Sequence, residues 1–119
     1  MQEAEGNVLA MQISYSKLVR DRIPEIIQAE GHRAVTRVLD EESYRVALLE
    51  KLAEEAHEAR QASAEQLAAE LADVLEVLQA LAEAHGLSWN HILEIAARKC
   101  TERGAFDNRI FLEYVEQAE

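Results

Sequence analysis

The chain has 119 residues, 49% of them hydrophobic, which is enough for one domain with a modest core. Its 23 acidic residues against 12 Lys and Arg give a formal charge of −11, which excludes a nucleic-acid backbone or an anionic membrane surface as the main partner; a free nucleotide stays open if a metal bridges the like charges. The lone Cys100 rules out an intrachain disulfide framework and a CxxC metal knuckle and fits a reducing cytoplasm, and no apolar run is long enough to span a bilayer.

The opening MQEAEGNVLAMQIS lacks the basic n-region of a secretion signal, and Met11-Gln12 repeats Met1-Gln2. Residues 1–14 are therefore expected to be a flexible leader, with a single domain over 15–119. Pro24 suits the first turn of a helix and Gly31 the position just past its end, so 24–30 is expected to be a short helix. The charges Arg20, Asp21 and Arg22 before it read as a locally salt-bridged entry turn, with substrate binding as the alternative. His32 to Leu39 alternates enough for an extended segment, but neither flank offers it a strand to pair with.

Asp40 is placed to cap a long helix, with Glu41 and Glu42 in its first turn and an apolar stripe through Tyr44, Ala47, Leu48, Leu52, Ala56 and Ala59, running to about Gln61. Ser63 with Gln66 forms a capping-box pattern for a second long helix to about His85, closed by Gly86. So short a connection implies an antiparallel hairpin. Leu67, Ala68, Leu71, Ala72, Val74, Leu75, Val77, Leu78 and Leu81 make that second helix apolar around most of its circumference and so central to the fold. Ser88 caps a third long helix carrying Trp89, Ile92, Leu93 and Ile95 to Arg103-Gly104; then follow a turn, an apolar anchor at Phe106, Ile110, Phe111 and Leu112, and an acidic tail. The expected fold is all-α: a four-helix-bundle-like protomer around a central antiparallel hairpin, assembling into an oligomer.

Four acids stand out on that hairpin. Glu55 and Glu58 share one helix face, as do Glu70 and Asp73 on the next, so the two pairs can close a carboxylate box. Gathering four carboxylates in a partly apolar site is costly unless a cation offsets their repulsion. Hard divalent ions suit such oxygens, and Mg²⁺ in particular binds a few carboxylates together with substrate phosphates. Glu55 and Glu58 are equally readable as a solvated helix face, whereas Glu70 and Asp73, on a mostly apolar helix, need a partner or a metal. Lys51, one turn before Glu55, either contacts a polyphosphate or pairs with Glu55. Glu76 is a possible outer acid, while His57 falls on another face and reads as solvated.

The Glu55-x-x-Glu58, spacer, Glu70-x-x-Asp73 pattern resembles the signature of the all-α MazG-like and phosphoribosyl-ATP pyrophosphohydrolase superfamily. KLVRDRIP at 17–24, AAELADVLEV at 68–77 and KCTERGAFDNRIFLE at 99–113 are similar to a MazG-like subgroup, so the likeness covers most of the chain from Lys17 on. The spacer departs slightly: 11 residues separate Glu58 from Glu70, at or just below the short end for the family, which implies a tight turn.

The resemblance implies Mg²⁺-dependent hydrolysis, with Mn²⁺ as a substitute, of a nucleoside triphosphate or related nucleotide between the α and β phosphates. It implies Glu55, Glu58, Glu70 and Asp73 as metal ligands and Glu54 as the residue that orients or deprotonates water. Lys99, Arg103 and Arg109 become phosphate-binding candidates beside Lys51, although Lys99 and Arg103 also complement a helix C-terminus, and Asn90 and Asn108 could read a base. The family assembles as dimers or tetramers. Two other readings stand beside a nucleoside triphosphate pyrophosphatase: the phosphoribosyl-ATP pyrophosphohydrolase of histidine biosynthesis, and a non-enzymatic helical adaptor that self-associates through its apolar stripes.

Overall fold

The computed structural model describes residues 11–118, so the first ten residues of the expected leader lie outside the described residues. Among the described residues there are four helices and no strand: α1 (Ile23–Ala29), α2 (Glu41–Gln61), α3 (Leu67–Ala84) and α4 (Trp89–Arg103). The chain divides into two compact units between Leu81 and Ala82. The first holds α1, α2 and the body of α3; the second holds the end of α3, α4 and the residues after it.

The helix boundaries follow from local chemistry. Pro24 sits in the first turn of α1, where its missing N–H leaves no bond unmade. Asp40 and Ser88 cap α2 and α4, each side chain accepting a hydrogen bond from the backbone N–H three residues on, at 2.8 Å from Ser43 and 3.3 Å from His91. At the end of α3, the Leu87 N–H donates to the Ala82 carbonyl and the Gly86 N–H to the Glu83 carbonyl. That double closure requires a left-handed residue, and Gly86 supplies it at φ 68°. Gly31 closes α1 by the same pattern, with bonds from His32 to Ile27 and from Gly31 to Gln28.

Three expectations need correction. The Ser63 capping box does not form. Residues 64–66 make a turn instead, in which the Ser63 carbonyl receives the N–H groups of both Gln66 and Leu67, so α3 starts at Leu67. Nor is α3 central within the chain: Glu70, Asp73, Val74 and Val77 share the more buried face, while Leu67, Leu71, Leu75 and Leu78, spaced to form a stripe, are exposed, Leu71 at 53%. Finally, the apolar anchor after α4 does not anchor. Phe106, Ile110, Phe111 and Leu112 are exposed, Phe106 at 94%, because no regular element forms there to gather them on one face.

Among the described residues of the first unit the buried ones are Leu48, Val77 and, alone among the charged groups, Glu55. The stripe read along α2 is otherwise largely right, since Tyr44, Ala47, Leu52 and Ala59 are half-buried, and only Ala56 faces solvent. Residues 32–39 carry no regular structure, as expected.

Candidate metal centre

Helix α2 carries Lys51, Glu54, Glu55 and Glu58 on successive turns, at the three- and four-residue spacings that put them on one side. The Lys51 Nζ lies 3.2 Å from Glu55 Oε1 and 3.3 Å from Glu54 Oε1. Of its two expected roles, pairing with Glu55 is the one the structure contains. Burial by itself would lower the pKa of this ammonium, but hydrogen bonds to Glu55 and Glu54 outweigh it and hold Lys51 above the ordinary lysine value, as a cation. Glu55 is only 6% exposed.

Helix α3 delivers Glu70 and Asp73 to the same place. One carboxylate oxygen from each of Glu55, Glu70 and Asp73 lies within 4.8 Å of the others. Glu58 is more exposed and stands outside that close set, yet it is near enough to Glu70 for the two carboxyls to share a hydrogen bond. Loss of solvent raises the pKa of Glu70 above the usual carboxylate value, and the charges of Glu58, Asp73 and Glu55 push it further the same way.

Among the described residues, two oxygens here have no protein partner. Glu55 Oε2 and Glu70 Oε2 are buried and accept no hydrogen bond. An unpaired buried carboxylate oxygen is costly, and three converging carboxylates offer the hard oxygen donors that Mg²⁺, Mn²⁺ or Ca²⁺ takes. The residues therefore fit a divalent cation, with Glu55, Glu70 and Asp73 in position to hold it and Glu58 at its edge.

The segment before α1 adds what linear spacing did not reveal. Arg20 Nη2 reaches Asp73 Oδ1 at 2.6 Å across 53 residues of chain, and Lys17 Nζ lies 3.4 Å from Glu54 Oε1 across 37. The locally bridged entry turn holds for Arg22, whose guanidinium binds Glu25 three residues on at 3.0 and 3.2 Å. It does not hold for Arg20. A weak signal was available: Lys17 and Arg20 flank half-buried Leu18 and Val19, which pin this stretch and leave the cations on its surface. Glu54 thus receives both Lys17 and Lys51 on Oε1, and among the described residues no group donates to its Oε2.

Lys99 and Arg103, near the end of α4, line a shallow hollow of the second unit with Cys100 and Phe106. Arg109 follows in a turn, its N–H donating to the Phe106 carbonyl. None of these three side chains has a hydrogen bond or ion pair among the described residues. His57 and Glu76 are exposed and outside the carboxylate cluster; Asn90 and Asn108 are exposed in the second unit. Among the described residues no helix is long and apolar enough to cross a membrane.

Over 55 residues, 46% of its length, the chain is 47% identical to an uncharacterized protein of Mycolicibacterium smegmatis. That stretch spans 56% of the relative, so only a little over half of that protein is matched. No solved structure matches the chain. The sequence profile of phosphoribosyl-ATP pyrophosphohydrolase matches residues 19–100, a span that contains α1, α2, α3 with Glu54, Glu55, Glu58, Glu70 and Asp73, and most of α4. By that match over more than half its length, the chain belongs to the phosphoribosyl-ATP pyrophosphohydrolase family.

Proposed function

We propose that the chain is a divalent-cation-dependent nucleotide pyrophosphohydrolase that splits a nucleoside triphosphate between its α and β phosphates, releasing the monophosphate and pyrophosphate. The observation that carries this reading is the pair of buried, unpartnered oxygens, Glu55 Oε2 and Glu70 Oε2, beside Asp73. In a family of pyrophosphohydrolases, such a pair is best explained as half of a cation site.

Glu55, Glu70 and Asp73, with Glu58 at the edge, would hold Mg²⁺ or Mn²⁺. When bound, the ion supplies charge neutralisation for the phosphate oxygens and acidity for a water. Glu54 is the proposed base: Lys51 fixes one of its oxygens and leaves the other able to take a proton from the attacking water. Lys51 orients both Glu54 and Glu55, while Lys99, Arg103 and Arg109 are further phosphate-contact candidates. Phosphoribosyl-ATP is the second substrate reading, supported by the family's description. It presents the same α–β anhydride, so the same residues would serve.

Self-association is part of this reading. The exposed leucine stripe of α3, Leu67, Leu71, Leu75 and Leu78, is an apolar face that a second copy would cover, as a dimer or a tetramer.

The test is product analysis on a panel of nucleoside triphosphates plus phosphoribosyl-ATP, with Mg²⁺, Mn²⁺ or EDTA. Pyrophosphate rather than orthophosphate should appear only with metal, and Glu70→Ala should cut the rate by at least about a hundredfold. No pyrophosphate from any substrate, and indifference of metal binding to Glu70→Ala, would instead favour a helical adaptor.

A further inference from the structure

The segment ahead of α1 carries two cations onto the acidic cluster, and neither is needed to build the cluster itself. Arg20 spends one of its five N–H donors on Asp73, and both members of that pair are well exposed, at 55% and 37% of their side chains. Lys17 makes a long 3.4 Å contact to Glu54, with its ammonium also 5.8 Å from the centre of the Tyr15 ring. Exposed pairs of this kind contribute little to stability, so their carboxylates can exchange them for a stronger cation at small cost.

We propose that Lys17 and Arg20 form the polyphosphate-binding side of this site. Without metal they rest on Glu54 and Asp73; with a divalent cation on the carboxylates, they turn to the phosphates of a nucleoside triphosphate. The inference rests on the cation-dependent reading above and names which residues of the chain take the substrate's negative charge. Three features support it. The guanidinium and ammonium lie at the rim of a cluster whose other members are all carboxylates, apart from Lys51, which is already bound on two sides. Lys17 and Arg20, three residues apart, reach acids on α2 and α3 respectively, so the pair sets two positive charges beside the acidic cluster of a chain of net charge −11. And Arg20 brings a planar fork with unused donors, the geometry suited to phosphate oxygens.

The test uses the full chain and two calorimetric titrations: Mn²⁺ alone, then the α,β-methylene analogue of ATP in saturating Mn²⁺. Arg20→Gln should bind Mn²⁺ as tightly as wild type or up to about tenfold tighter, since a competitor for Asp73 is gone. It should bind the analogue about ten- to a hundredfold more weakly, the worth of a lost charge-assisted hydrogen bond. Arg20→Lys should recover part of that loss, and Lys17→Gln should weaken the analogue in the same direction. If Arg20 merely oriented Asp73, Arg20→Gln would weaken Mn²⁺ binding and leave the analogue's own affinity at the wild-type value; that result overturns the proposal. Wild-type protein that binds no Mn²⁺ overturns the metal reading and this one with it, whereas wild type that binds both and an Arg20→Gln variant equal to it in both overturns only this one. Lys17→Gln keeps the question answerable should Arg20→Gln not fold.

Discussion

Glu70 sits among like charges, with Glu58, Asp73 and Glu55 all raising its pKa alongside its loss of solvent. Its raised pKa means that it favours folding below the ordinary carboxylate value, and that this advantage is lost as pH climbs through the raised value, where the fold must carry an ion repelled by Glu58, Asp73 and Glu55. In EDTA at neutral pH, Glu70→Gln should therefore melt at a higher temperature than wild type. That difference should shrink as pH falls into the carboxylate range, where both side chains are neutral. Added Mg²⁺ should raise the wild-type melting temperature and leave Glu70→Gln largely unmoved; the reverse order in a melting series would mean that the acids are relieved by something other than a cation. At this scale the three- and four-residue steps put Glu70 and Asp73 on one face of α3, but they equally paired Glu58 with Glu55, and Glu58 stands outside the close set. The spacing could not foretell that Arg20 would cross to Asp73. An arginine in an irregular stretch has no periodicity to say which way it points.

Among the elements, α2 bears the most. Leu48, 3% exposed, packs on the same helix that holds Glu54 and Glu55, and Leu48→Ala should cost about 2–5 kcal/mol, read as a lower denaturant midpoint with a similar slope. At the start of that helix the Ser43 N–H, bonded to the Asp40 carboxylate, holds the Asp40 pKa below its usual value. Its stabilising effect is thus present above the ordinary carboxylate value and is lost as pH falls through the depressed one. Asp40→Ala should lower the melting temperature at neutral pH, by an amount that fades in acid. Apart from the start of α3, where the Ser63 box gave way to a turn, helix ends were legible because caps are local: Asp40, Ser88, Gly31 and Gly86 each act through bonds to residues within five positions. The faces of α3 were less legible. Counting apolar residues around a helix says how many can be buried, but not that the acids would take the inner side and the leucines the outer one.

For the whole molecule, the exposed stripe of α3 sets the prediction. Light scattering after size exclusion should give a multiple of 13.4 kDa. Leu71→Glu with Leu75→Glu should shift the chain toward monomer, since charges on an apolar interface are penalised on both partners. A wild-type mass of one chain would leave the stripe without that role. An all-helical chain could be read from periodicity alone. How much of each helix stays uncovered could not, because that depends on which surfaces meet other surfaces, and linear pattern is silent on this.

The contacts that Lys17 and Arg20 make also dictate an order of events during synthesis. Helix α2 is synthesised in full by Gln61, but the Arg20 side chain cannot meet Asp73 until 53 residues beyond Arg20 have been added. At about 5–20 residues per second that is a wait of roughly 3–11 s. Through that interval the opening stretch of the nascent protein has no acid from α3 to settle on, and the ring of charge closes only when its last member leaves the ribosome.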